Sequence, residues 1–286
     1  MTLIALALVL ASAVLHAGWN FLAKRAGGDL TFVWLFCVVS SVIYAPIALL
    51  VALVERPALG PTELAFMAGS IAIHLAYYIV LQQGYRVGDL SLVYPLARGS
   101  GPALAAVLAI VLLGERPSVL TLAGGAIVVA SALLLTGGWS AILNGGSSRA
   151  VSFGLLTGAL IGCYTVWDKT IVGVLLVPPL IFNWGNDVGR TLLTTPYALR
   201  HWDRVVRTWR QAWREALAVG ILGPLSYILV LTALVFSPVS TIAPAREVSI
   251  VVGALLGARL LGEPEALRRL LAAALMVIGI VALSLG

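Results

Sequence analysis

Residues 90–117 read LSLVYPLARGSGPALAAVLAIVLLGERP. The part from Leu90 to Leu113 carries one charged side chain, Arg98. The turn-forming sequence Gly-Glu-Arg-Pro follows it at residues 114–117. A helix needs roughly 20 apolar residues to cross a hydrocarbon core of ~30 Å. The run does not alternate between apolar and polar residues, as a strand of a membrane barrel does. It therefore predicts a transmembrane helix.

Nine further apolar runs of similar length fill the rest of the chain. The ten predicted spans are Leu3–Leu22, Leu30–Val54, Leu64–Gln83, Leu90–Leu113, Val119–Thr136, Val151–Val172, Leu175–Leu199, Ala216–Phe236, Val239–Leu261 and Leu267–Leu285. Only 10% of the 286 residues are charged, against roughly 25% in a soluble domain, so the chain cannot cover itself with a hydrated surface. The first run lacks the basic start of a cleavable signal, and we interpret it as a retained helix. The sequence predicts an all-α, polytopic membrane protein of ten transmembrane helices.

The second half of the sequence repeats features of the first. Residues 239–264 read VSTIAPAREVSIVVGALLGARLLGEP, so a proline followed by an arginine, and then a closing Leu-Leu-Gly-Glu, occur in both the fourth and the ninth span. Because five spans are an odd number, two such halves on one chain must have opposite orientations and share a site near the membrane midplane. We predict a first five-helix repeat over residues 1–143, a linker over 144–150 and an inverted second repeat over 151–286, arranged around a central cavity.

The repeat, the Leu-Leu-Gly-Glu ends of two spans and the sequence His16-Ala17-Gly18-Trp19-Asn20 resemble the drug/metabolite transporter superfamily. The closest resemblance is to its EamA-type branch, which includes amino-acid and metabolite exporters. The resemblance implies a ten-helix bundle that works by alternating access. It also implies a secondary active exporter of small organic metabolites, such as amino acids or related carboxylates, in the plasma membrane (the bacterial inner membrane). No ATP-binding motif occurs, so a gradient must drive transport.

Two other functions compete with a carrier, namely a passive channel or facilitator and a membrane-embedded enzyme. The sequence contains no His-Glu-x-x-His motif, no phosphate-binding glycine loop and no nucleophile elbow. Its three histidines lie in separate segments, so no metal and no other cofactor is predicted. The expected partners are a small-molecule substrate and the lipid bilayer. The net charge of +6 does not indicate nucleic-acid binding, because the basic residues lie between apolar runs. No feature indicates an oligomeric state.

The basic residues favour one side of the membrane. The odd-numbered loops carry Lys24, Arg25, Arg86, Arg149, Arg200, Arg204, Arg207, Arg210, Arg214, Arg268 and Arg269. The positive-inside rule alone places both termini outside, whereas relatives of this kind usually have both termini in the cytoplasm, so the orientation stays open. The stretch Trp202–Arg214, with three tryptophans, is compatible with an amphipathic helix on the lipid headgroups.

Polar side chains inside the hydrocarbon layer need a partner, a cavity or water, and the seventh span holds four of them. Asn183, Asn186, Asp187 and Arg190 follow helical spacing and form one stripe. The stripe is either the wall of a water-filled substrate cavity or a self-satisfied network in which Asp187 pairs with Arg190. Both interpretations require it to face the interior of the bundle.

Arg98 and Arg246 each follow a proline, in the fourth and ninth spans. A guanidinium there can hold a substrate carboxylate through two hydrogen bonds. One alternative, which the duplication favours, is a structural ion pair with Glu247, Asp168 or Asp187. Another is a side chain that extends to the nearer membrane interface. Glu247 itself is either a proton relay or the partner of an arginine on another helix. Asp168 lies near the end of the sixth span, where a side chain can reach the membrane interface.

Aromatic and imidazole side chains complete the predicted cavity wall. The candidates are Trp19, Asn20, His74, Tyr78, Tyr94, Tyr164, Trp167 and Tyr227. Rings with a few polar tips suit a solute that is partly apolar and partly charged. Ordinary helix packing is the alternative for each ring. Glycines at positions 154, 158 and 162, and at 253 and 257, instead predict close contacts between helices.

Overall fold

The computed structural model describes residues 1–26, 29–87, 90–136, 148–249, 251–252 and 266–286. Ten helices and no strand make up the regular elements of these ranges. In chain order they are α1 (Leu3–Arg25), α2 (Leu30–Glu55), α3 (Pro61–Val87), α4 (Leu90–Leu113), α5 (Val119–Thr136), α6 (Ser148–Gly173), α7 (Pro179–Arg200), α8 (Trp202–Phe236), α9 (Val239–Ala245) and α10 (Ala266–Leu285). The predicted all-helical fold class is confirmed.

Six of the described helices are long and apolar enough to cross a membrane. Their spanning segments are Leu3–Ala23, Leu30–Glu55, Pro61–Leu81, Leu96–Leu113, Ser148–Gly173 and Trp202–Phe236. Large apolar side chains face outward, as at Leu49, which is 61% exposed, whereas Asp168, Asn186 and Asp187 are buried. This distribution is unfavourable in water and favourable in lipid. The chain is a multi-pass membrane protein.

Glycine and proline set the helix boundaries near the site. α4 ends as predicted, because Gly114 adopts a φ of +67°, a conformation that glycine accepts at little cost. α7 begins at Pro179 instead of the predicted Leu175. Leu176 has a φ of 56°, and Pro179 stands at the first helical position, where its missing N–H is not required.

The eighth and ninth spans differ most from their predicted bounds. α8 begins at Trp202 and includes the amphipathic stretch, with one non-helical residue, Ala212, at φ −137° and ψ 29°. α9 covers only Val239–Ala245, and a turn follows at Arg246, so the predicted span Val239–Leu261 is interrupted there. Pro244 contributes to the interruption, because a proline inside a helix removes one hydrogen bond and crowds the preceding turn.

Packing joins helices of the first half of the sequence to helices of the second. α4 packs against α6, α5 against α10, α1 against α8, and α2 against α7. The predicted close contact of the α6 glycines is confirmed, because an added Cβ at Gly154 would lie 2.9 Å from Leu96 Cβ and one at Gly162 would lie 3.1 Å from the backbone nitrogen of Ala105. Positions 253 and 257, and residues 144–147 of the predicted linker, lie outside the described residues.

Candidate functional site

A small pocket lies where α1, α4 and the turn after α9 meet. It is lined by Ser12, Ala13, His16, Arg98, Arg246 and Ser249. The free space among these residues is about 10 Å³, roughly the room that one water molecule requires. In this conformation the pocket is therefore too small to hold an organic solute.

The two predicted arginines both line this pocket, and their surroundings differ. Arg98 Nε lies 3.3 Å from Glu247 Oε2, and Arg98 Nη2 donates a hydrogen bond of 3.2 Å to Ser249 Oγ. The side chain of Glu247 is buried, and that of Arg98 is largely buried. The guanidinium of Arg246 stands over the ring of Tyr227, 5.5 Å from its centroid. Within the described part of the chain, no carboxylate oxygen lies within 4 Å of Arg246. Glu247 is thus in contact with an arginine on another helix.

The polar stripe of α7 faces the interior and forms a hydrogen-bonded network. Arg190 Nη2 donates to Asp187 Oδ1 within the helix, and Asn183 Nδ2 donates to Asp187 Oδ2 at 3.2 Å. Ser40 on α2 donates to the same oxygen at 2.5 Å. Asn186 Oδ1 is buried without a hydrogen-bond partner among the described residues. Asp187 is therefore fully engaged, whereas Asn186 retains a free acceptor.

A second buried network surrounds Asp168 on α6, which is not solvent-exposed at all. Ser70 Oγ on α3 donates to Asp168 Oδ1 at 2.6 Å, and the hydroxyl of Tyr227 on α8 donates to Asp168 Oδ2. His74 Nε2 lies 3.7 Å from the same carboxylate, and His74 Nδ1 lies 3.0 Å from the carbonyl oxygen of Ser70. Asn186 Nδ2 approaches Ser70 Oγ at 3.4 Å, so the two networks meet at this hydroxyl.

The predicted aromatic residues divide between the site and the surrounding packing. Tyr164 stacks on His74 at 4.3 Å between ring centroids, beside the Asp168 network. Trp167 stacks on Phe66 at 4.7 Å and donates to the Phe66 carbonyl at 2.8 Å, which is a packing contact. Trp19 packs edge-on against His16 at 5.0 Å.

Three candidates remain, on α1, α3 and α4. Asn20 is exposed and donates to the carbonyl of His16 in its own helix. Tyr78 is half-buried on α3. The side chain of Tyr94 lies outside the described part of the chain.

Sequence reasoning missed several residues that hold the site. Ser40 and Ser70 are single hydroxyls in apolar helices, and such residues carry no signal until the packing partner is known. Asp168 lies one helical turn after Tyr164, and this spacing was the available sign that it faces inward. Glu115 accepts the N–H groups of Val239 at 2.6 Å and Ser240 at 2.9 Å. The Gly-Glu motif therefore fixes the end of α4 to the start of α9.

Comparison with known proteins identifies the family. The sequence model of the EamA-like transporter family matches residues 3–137 and, a second time, residues 148–285. The chain belongs to the EamA-like transporter family. None of the curated proteins compared with it matches significantly.

A solved structure titled "Crystal structure of protein" is similar to this EamA-like chain, with a TM-score of 0.70 and 17% sequence identity. The likeness covers 99% of this chain and 97% of the other, so the two share a fold over essentially their whole lengths. In membrane proteins, ionisable side chains buried in the membrane often mark the paths of solutes and ions. Because the chain belongs to a transporter family, the pocket and the two buried networks are the candidate site.

Proposed function

We propose that this EamA-like protein is a secondary active transporter that exports small organic solutes carrying a carboxylate, amino acids among them, across the plasma membrane. In this proposal residues 1–143 and 151–286 are two inverted halves that open the pocket to each side in turn. Two observations support it. The family model matches each half separately, and α2 with α7, α4 with α9 and α5 with α10 are contacts between equivalent helices of the two halves. Such contacts are expected of halves related by a two-fold axis.

The charge balance of the pocket supports a carboxylate as the recognised group. Arg98 and Arg246, one from each half, line the same small space, and the acid in contact with these two arginines among the described residues is Glu247, which pairs with Arg98. A guanidinium without a paired carboxylate offers planar donors that match a substrate carboxylate. Arg246 is the better candidate for this contact, because Arg98 is already engaged by Glu247.

The closed pocket favours a carrier over a static channel. A space of about 10 Å³ admits no organic solute, so any solute requires the halves to separate. The polar seam between them consists of hydrogen bonds that water can replace as the pocket opens.

Counterflow in proteoliposomes tests the proposal. Proteoliposomes that contain the purified protein are preloaded with one amino acid of a panel. They should take up the same labelled amino acid faster than proteoliposomes that are not preloaded, and this uptake should saturate. Arg246→Gln should reduce uptake of carboxylates roughly 10- to 100-fold, since a charge-assisted hydrogen bond is worth about 1.5–3 kcal/mol. The matched control is Arg116→Gln, because Arg116 is an exposed arginine in the turn after α4.

Amides of the transported amino acids separate recognition of the carboxylate from a general loss of activity. Arg246→Gln should lower transport of the acid far more than transport of the amide. A folded Arg246→Gln protein that carries the acid at the wild-type rate contradicts the assigned role. Flux that does not saturate and shows no counterflow indicates a channel instead.

A further inference from the structure

Three carboxylates are buried within the described part of the membrane bundle, and their charges are balanced differently. Asp187 pairs with Arg190, and Glu247 pairs with Arg98. Asp168 has no lysine or arginine within 4 Å among the described residues. The ammonium of the adjacent Lys169 points elsewhere, to the carbonyl oxygens of Leu234 and Ser237. Among the described residues, Asp168 is thus the buried acid without a lysine or arginine in contact.

The groups that hold Asp168 are neutral hydroxyls from two other helices. Ser70 donates from α3 and Tyr227 donates from α8. Hydroxyl donors stabilise a carboxylate but leave its charge in place, and an uncompensated charge in a medium of low dielectric constant is costly. Protonation therefore lowers the free energy of a carboxylate in this position more than that of a carboxylate paired with a guanidinium.

The ionisable groups around Asp168 come from every helix packed on α6. They are His74 on α3, Arg98 on α4, Arg190 on α7, Tyr227 on α8, Arg246 after α9, and Tyr164 on α6 itself. Arg98 and Arg190 are each paired with another acid, and Arg246 stands over the ring of Tyr227, 5.5 Å from its centroid. The imidazole of His74 is the basic group closest to the carboxylate, at 3.7 Å.

We propose that Asp168 is the site at which this transporter takes up and releases a proton. The proposal rests on the transport function proposed above. The Ser70–Asp168 hydrogen bond joins the two halves of the sequence, so their separation breaks it and lets water reach the carboxylate. Asp168 then accepts a proton from that water and becomes a neutral carboxylic acid. It returns the proton to water when the opposite side opens. Glu247, the coupling residue considered from the sequence, stays engaged by Arg98.

Infrared difference spectroscopy tests proton binding without any transported solute. The protein, reconstituted in liposomes, is titrated from mildly alkaline to mildly acidic pH, and the carbonyl stretch of a newly protonated buried carboxyl group is followed. The wild type should give such a band. Asp168→Asn should abolish it, while the matched controls Asp187→Asn and Glu247→Gln should retain it. A band that survives in Asp168→Asn, or no band in the folded wild type, overturns the proposal.

A second variant keeps the test decisive if Asp168→Asn does not fold. Tyr227→Phe removes one donor to the carboxyl group and leaves the acid in place. The band should move to higher frequency, because a carbonyl that loses a hydrogen-bond donor vibrates faster. An unshifted band assigns the protonated group elsewhere.

A transport arm distinguishes this proposal from the proposed function. Once a transported amino acid is found, Asp168→Asn should lose the dependence of its uptake on a pH gradient, whereas the matched control Glu215→Gln, which changes a carboxylate outside the pocket and both networks, should keep it. Uptake by Asp168→Asn that still follows the pH gradient overturns the role of Asp168 and leaves the transport function intact. If the wild type carries no solute of the panel, the function proposed above fails, while the infrared result still decides whether Asp168 binds a proton.

Discussion

The ion pair between Arg98 and Glu247 makes an asymmetric prediction about stability. Their side chains are 15% and 4% exposed and lie 3.3 Å apart at the pocket. Removing one partner of a buried pair costs about 3–5 kcal/mol, mainly because the other charge stays buried and unpaired. Glu247→Gln should reach this full cost, since it leaves Arg98 and Arg246 facing the same small space. Arg98→Gln should cost only about 1–3 kcal/mol, because Arg246 remains near Glu247 and hydrogen bonds to charged groups are worth about that much.

The double variant Arg98→Gln/Glu247→Gln tests this reasoning. It removes one charge of each sign, so it should be more stable than Glu247→Gln alone, although it carries an additional substitution. Unfolding in mixed detergent micelles, followed by the fluorescence of the eight tryptophans, gives the free energies of unfolding.

A surface pair in the same protein is the matched control. Arg25 and Glu215 lie 3.7 Å apart with side chains 70% and 19% exposed, and Glu215→Gln should cost less than about 1 kcal/mol. If the costs of the two pocket substitutions simply add in the double variant, the buried pair contributes no coupling and the reasoning is refuted.

Three further predictions concern contacts elsewhere in the chain. Glu115→Ala should lower the free energy of unfolding by about 1.5–3 kcal/mol, because the charge-assisted hydrogen bonds to the start of α9 are lost. An unchanged free energy in the same unfolding assay would indicate that water replaces the carboxylate. Gly124→Ala should lower the free energy of unfolding by about 1–3 kcal/mol, because its Cβ would lie 2.8 Å from the Gly279 carbonyl oxygen. Gly18→Ala, whose Cβ would have nothing within 4 Å, should be neutral or slightly stabilising. Equal effects of the two substitutions would contradict the α5–α10 contact. Trp209 is 39% exposed on the amphipathic part of α8, so brominated lipids should quench its fluorescence, and Trp209→Phe should show a smaller quenched fraction than wild type.

Much of the helical architecture follows directly from the sequence. The predicted bounds of α4 and α5 agree with the structure, because a glycine, a proline and charged residues separate two uninterrupted apolar runs. The interruption after α9 was not predictable from hydropathy, since the apolar pattern continues through Arg246.

The part of the site on α7 was predictable, because the polar stripe lies within the sequence of that one helix. The spacing of Asn183, Asn186 and Asp187 required a common inward face, and the structure places all three in the interior. Their partners Ser40 and Ser70 could not be selected, because serine is common in apolar helices and the pairing depends on packing between distant segments. Asp168 was assigned near the membrane interface from its position in the span, whereas the packing of α3 and α8 around it removes it from solvent entirely.

The polar contacts of the described residues indicate how the two halves are joined. Ser12 donates to the carbonyl of Ser226, Ser40 to Asp187 and Ser70 to Asp168, and each of these bonds crosses between the first and second halves of the sequence. Apolar contacts between helices gain little in lipid, because lipid tails are as apolar as the side chains they replace. Hydrogen bonds across the seam therefore supply much of its specificity. Exchanging the neutral Ser12–Ser226 bond for a bond to water costs about 0.5–1.5 kcal/mol, and exchanging either bond to a carboxylate costs about 1.5–3 kcal/mol. A seam of this composition holds the halves together while the pocket is dry and can exchange its bonds with water, and the carrier proposed above requires both properties.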